Sequence, residues 1–142
     1  PMYIHSDMGI ADDRVGDRMK TSYCYNTMRK MGIRLAAGSD LPIESPKVME
    51  AIQVNVTRKN LSGWPEGGWY PEEAFDVLDA VKLHTVNGAY VSKDENKYGS
   101  IEVGKQANFV LLSGDVFEVE KDKIKDIEIL ETYIDGESVY KK

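Results

Sequence analysis

A single carboxylate closes the run Gly32-Ile33-Arg34-Leu35-Ala36-Ala37-Gly38-Ser39-Asp40-Leu41-Pro42. A short apolar stretch is cut off by small residues and then by Asp40, as when a buried parallel strand presents an acid at the mouth of an α/β sheet or barrel. An acid so placed can bind a metal ion or take a proton from water. It can equally be a turn or N-cap aspartate with no chemistry of its own. The two histidines are His5 and His84. His5, in Tyr3-Ile4-His5-Ser6-Asp7, reads as a loop histidine or a substrate contact; His84 reads as a core or helix-end residue. Two histidines and scattered acids without ligand spacing do not define a metal site within this chain. Trp64 and Trp69, with Tyr70, sit in a glycine-rich loop and either line a substrate pocket or tether the loop to the core. Cys24, between Tyr23 and Tyr25, reads as a packing thiol rather than a nucleophile. No phosphate-binding glycine loop, Ser/His/Asp order or Cys-x-x-Cys occurs.

The elements that must position these residues follow from periodicity. Residues Pro1 to about Asp13 read as loop. From Val15 to Met31 the residues Met19, Tyr23, Thr27 and Met28 recur at helical spacing, and Gly32 stops the helix. Ile33–Gly38 is the expected strand. Ser45 as N-cap and Pro46 in the first turn predict a helix to about Lys59, with Val48, Ala51, Ile52, Asn55 and Val56 facing inward. The loop Asn60–Tyr70 follows; loops of that length are often functional. A helix is expected from Pro71-Glu72-Glu73 through Lys82, and a short one over Thr85–Val91. From Gly99 the period changes to two. Ile101–Val103, Asn108–Leu112 and Ile127–Ile134 read as strands, Glu118–Lys125 as a solvated loop, and Asp135-Gly136 as a hairpin turn into a return strand at Val139-Tyr140.

At 142 residues, 42% hydrophobic and 30% charged, the chain can bury an ordinary core. With 18 basic against 24 acidic side chains the net charge is −6, and the basic residues are scattered. That surface argues against nucleic acid as a partner. No apolar run is long enough to span a membrane. One cysteine cannot form an internal disulfide, which fits a reducing, cytoplasmic setting. Opening at Pro1, the sequence reads as an interior stretch of a longer protein.

Taken together, Gly38-Ser39-Asp40-x-Pro42, then His84-Thr85-x-Asn87-x-Ala89, then Gly99-Ser100-Ile101-Glu102-x-Gly104-Lys105-x-Ala107-Asn108-Phe109-Val110, and finally Thr132-Tyr133-Ile134-Asp135-Gly136, resemble the C-terminal portion of the metal-dependent amidohydrolase superfamily. The branch that includes exoenzyme regulatory protein A is the nearest in pattern. One departure is Asn108, where the family usually has aspartate; asparagine keeps much of that residue's hydrogen-bonding capacity at a turn.

The resemblance implies an α/β fold: the last βα units of a (β/α)8 barrel (a TIM barrel) over residues 1–98, then the C-terminal strands of a composite β-sandwich over 99–142. Ile33–Asp40 would be the eighth barrel strand, and His5 would lie in the loop after the seventh, at the catalytic face. It further implies hydrolysis of a non-peptide C–N bond, an amide or cyclic amide, in a small-molecule substrate by metal-activated water. Asp40 would be a ligand of a divalent metal, zinc, and also the general base. His5, Trp64 and Trp69 are the candidate substrate contacts. The remaining ligands of the family would lie outside this chain, so the chain alone is expected to bind no metal and to be inactive. A non-catalytic regulator of exoenzyme production is the alternative. Unpaired strand edges predict a homo-oligomer, or a need for the rest of a longer protein.

Overall fold

The computed structural model describes residues 2–142. Among these residues, three antiparallel strands and five α-helices are joined by 3₁₀ turns, a mixed α and β architecture. Among the described residues no helix is long and apolar enough to cross a membrane.

The first departure from expectation is at the start. The loop expected over Pro1–Asp13, of which Pro1 lies outside the described residues, is replaced by helix α1, Ile4–Val15. Its buried residues Ile4, Met8 and Ala11 recur at helical spacing and pack with Met2 and Met19. The single helix expected over Val15–Met31 is broken. A 3₁₀ segment, Gly16–Thr21, buries Met19, and α2 spans only Tyr25–Lys30. Gly16 and Tyr23, both at positive φ, cannot continue a helix. Downstream, Met28 and Met31 are exposed rather than buried.

Residues 33–39 form no ladder among the described residues; of the expected strand, only the Ala37 N–H bonds across, to the Leu83 carbonyl at 3.1 Å. The segment still alternates, with Leu35, Ala37 and Ser39 half-buried between exposed neighbours. A strand's hydrogen bonds belong to its partners, so extended backbone without an adjacent strand has alternation but no ladder.

Helix α3, Val48–Thr57, begins two residues after Pro46 and has all of its expected inner face buried or half-buried. Gln53 and Val54 are buried as well, because α3 lies between two apolar clusters. Ala51 and Val54 join Met2, Ile4, Met8 and Trp69; Ile52 and Val56 join Phe75, Leu83, Val116 and Ile124. The helix expected from Pro71 is a 3₁₀ turn at Pro71–Glu73 and then α4, Val77–Leu83. Asp76 caps α4, accepting from the Asp79 N–H at 2.7 Å. Phe75 stays extended between them, its N–H donating to the Asn55 carbonyl at 3.0 Å. Helix α5 covers Val86–Val91.

Strands β1 (Phe109–Leu112), β2 (Ile129–Ile134) and β3 (Glu137–Lys141) pair in that order, antiparallel. Asp135 and Gly136, at φ 52° and 82°, make the hairpin turn between β2 and β3. Ile101–Val103 is not a strand; the Lys105 N–H closes a turn on the Glu102 carbonyl at 3.1 Å, and both apolar side chains are exposed. Nor is Glu118–Lys125 wholly a solvated loop. A 3₁₀ turn, Lys121–Asp126, drives Ile124 into the core beside α3, where the Lys125 N–H donates to Gln53 at 2.9 Å.

Candidate active site

Asp40 ends the extended segment at φ 52°, a left-handed conformation that aspartate adopts more readily than most residues. The chain there folds back on itself. The Ile43 N–H donates to the Asp40 carbonyl at 2.9 Å, and the Glu44 N–H to the Ser39 carbonyl at 3.2 Å. Helix α1 meets this turn with its N-terminal residues: the Tyr3 hydroxyl donates to Asp40 Oδ2 at 2.7 Å. His5 Nε2 lies 2.9 Å from Glu44 Oε2, and the Ser6 hydroxyl donates to Glu44 Oε1. The sequence reading placed Asp40 and His5 as candidates, and the structure brings them to one turn through Tyr3 and Glu44. It did not single out Tyr3, Ser6 or Glu44. Their one visible signal was a second acid four residues after Asp40, beyond a proline.

The electrostatics follow the contacts. The Asp40 carboxylate, by accepting its hydrogen bond, pushes the Tyr3 phenol up to about 12. Burial alone would raise Glu44, but the bonds from Ser6 and His5 outweigh it and hold the carboxyl below its usual range. An ionised Glu44 has only acceptors to offer, so His5 Nε2 is the donor of that pair.

The other candidates lie elsewhere. Trp69 is buried, its indole N–H donating to Asp12 Oδ2 at 2.9 Å and its ring facing Tyr23 and the Arg58 guanidinium. Arg58 grips the same residue twice: its carbonyl accepts from the Trp69 N–H at 2.7 Å, and its Nε donates to the Trp69 carbonyl at 2.9 Å. Gly68 makes this closure possible, because a Cβ there would come within 2.5 Å of the Thr57 carbonyl oxygen. The loop 59–68 is thus pinned at its base and carries Trp64, 53% exposed, in its outer part. Neither tryptophan contacts Asp40 through a hydrogen bond or a shared apolar cluster.

His84 lines a cavity of about 240 Å³ with Ala37, Ser39, Ser45, Val48 and Ala51. Its Nε2 has no partner among the described residues, and burial pushes its pKa down to about 4. Cys24 is a free thiol, half-buried, whose Sγ lies 3.4 Å from the Thr21 carbonyl.

Metal chemistry can be tested against the donors. Among the described residues no three His, Cys, Asp or Glu side chains converge, and Asp40 meets Tyr3 rather than a second ligand.

The family model described as "Amidohydrolase family" matches residues 1–140, and the chain belongs to that family. The chain is 36% identical over 143 aligned residues to YtcJ of Bacillus subtilis (strain 168), which is named as an amidohydrolase; the match covers 100% of this chain and 27% of that protein. It is 30% identical to the N-substituted formamide deformylase of Arthrobacter pascens, over 82% of this chain and 21% of that one. In fold it is similar to the crystal structure of an amidohydrolase from Thermotoga maritima MSB8, with a TM-score of 0.61 and 24% identity over 84% of this chain and 26% of that one. The chain thus spans about a quarter of the length of the relatives it matches.

Proposed function

We propose that this chain is the C-terminal portion of a hydrolase that cleaves a non-peptide C–N bond of a small molecule, an amide or cyclic amide, with Asp40 at the reacting centre. The observation that carries the reading is Asp40 itself. A carboxylate is held in a left-handed turn at the end of an extended segment, with one oxygen fixed by Tyr3, in a chain of the amidohydrolase family. Backbone in a sparsely populated conformation is retained where the surrounding structure over-determines it, and such sites cluster where function needs them.

In this reading Asp40 accepts the proton of the attacking water and Tyr3 keeps the carboxylate in one orientation. The family is generally metal-dependent. A divalent metal, zinc, would supply the acidified water and would be held mainly by residues other than those of this chain, with Asp40 adding one oxygen. The relation to a protein that acts on N-substituted formamides makes these the first substrates to try. Residues 1–98 would then be the barrel part and 99–142 the sandwich part of the longer protein.

The test is Asp40→Asn in the longer polypeptide, assayed on N-substituted formamides and on small cyclic amides. Loss of the base is expected to lower kcat at least about 100-fold with an unchanged circular dichroism spectrum. Activity within a few-fold of the parent would remove Asp40 from the mechanism.

A further inference from the structure

Asp40 is one of two carboxylates on its turn, and the second is the better buried. The Glu44 side chain is 9% exposed, and both its oxygens are taken, one by His5 Nε2 at 2.9 Å and the other by the Ser6 hydroxyl. A carboxylate withdrawn from water is costly unless every lone pair facing the interior is met. An apolar side chain of the same size would fill the space without that cost. What glutamate adds is direction: two bonds from adjacent residues on the first turn of α1 fix where the turn sits. That helix turn follows directly on Tyr3, which holds Asp40 at 2.7 Å. The spacing between Tyr3 and the Asp40 carboxylate is therefore set by the contact that Glu44 makes four residues away.

We infer that Glu44, gripped by His5 and Ser6, is a positioning residue that holds the Asp40 carboxylate in its reactive place. The inference rests on the reading of Asp40 given above. It also gives His5 a definite part: with Nε2 committed to Glu44, only Nδ1 is left to meet a substrate.

Two substitutions separate geometry from charge. Glu44→Met keeps the bulk and removes both bonds. Glu44→Gln keeps both, because its oxygen accepts from Ser6 while its amide donates to His5 in the other tautomer. In the 142-residue chain, Glu44→Met is expected to speed exchange of the backbone amides at positions 43 and 44 roughly tenfold while α3 is unchanged, and Glu44→Gln to leave both alone. In the longer polypeptide, with an N-substituted formamide as the probe, Glu44→Met should lower kcat by roughly 10- to 100-fold at nearly constant KM, and Glu44→Gln should retain most of it. Unchanged exchange at the turn, acceleration spread over the whole chain, or unchanged kcat in Glu44→Met beside a dead Asp40→Asn would each overturn the inference. Full activity in Asp40→Asn would sink the reading of Asp40 itself, and this inference with it, whatever the exchange rates show.

Discussion

His84 carries a pH dependence that follows from its surroundings. Burial holds its pKa near about 4, against an ordinary value of 6.5, so the folded chain refuses a proton that the unfolded chain accepts between those limits. The stability due to a neutral His84 is therefore complete above about pH 6.5 and declines as the pH falls toward 4. The decline amounts to roughly 2–3 kcal/mol. Glu73 pushes the same way lower down. Burial would raise it, but bonds from the Thr27 hydroxyl and from the backbone of Thr27 and Asn26 hold its carboxyl below the usual range, and that support is lost as the pH drops through it. Urea midpoints at pH 7 and pH 5 should differ in the wild type and differ much less in His84→Leu; equal differences would show that other groups set the slope. At this scale the small residues before Asp40 pointed to the place where an extended segment ends in a turn, and the structure has that turn at Asp40. Glu44 and Arg58 were hidden. Both are charged residues that composition assigns to the surface, and only their partners, His5 with Ser6 and Trp69 with Tyr23, reveal that they are held inside.

Among the elements, α3 was the most legible and is the most consequential. Its five inward residues were readable from Val48 to Val56, but the helix starts after Lys47 and is not capped by Ser45, and Gln53 and Val54 were missed, because a one-faced pattern says nothing of a second cluster on the other side. Ile52 is 2% exposed, and Ile52→Ala is expected to cost about 3 kcal/mol in a urea melt, a loss typical of a large residue cut from a closed core. A cost below about 1 kcal/mol would mean that the site collapses around the gap. Helix α1 was present in the sequence as Ile4, Met8, Ala11 and Val15 but was masked by Gly9 and by Asp7, Asp12 and Asp13 among them. Two of those acids are in fact bound, Asp7 by the Tyr23 hydroxyl and Asp12 by Trp69. The strand expected at Ile33–Gly38 illustrates the converse. Local pattern fixed its extension and alternation, whereas a ladder is a property of at least two segments.

For the whole molecule, the sheet sets the behaviour. Val110, Leu111, Ile134, Val139 and Tyr140 are all exposed, and β1 and β3 are both edges of a three-stranded sheet. Unpaired edges with apolar side chains recruit further chains. The chain on its own is expected to associate at micromolar concentration, and sedimentation velocity should show species heavier than 16.0 kDa. Lysine at Ile134 and Val139 should return it to the monomer; a stable monomer in the wild type would count against the expectation. The hairpin behind that face was readable from Asp135-Gly136, where both residues need positive φ, but the partner strand β1 was identified only as a strand and not as a neighbour. Pairing order is a long-range choice that no local signal records.

The pinned loop also turns the chain into an optical instrument with two channels. Trp69 is enclosed by Tyr23, Tyr70 and the Arg58 guanidinium, whereas Trp64 stands in water at 53% exposure. Their emission should therefore separate, with a blue-shifted component shielded from iodide and a red-shifted one open to it. Trp64→Phe should leave only the shielded component. That component then follows the grip of Arg58 on the loop base during unfolding, while the open one follows anything that settles against the outer loop, with no added label.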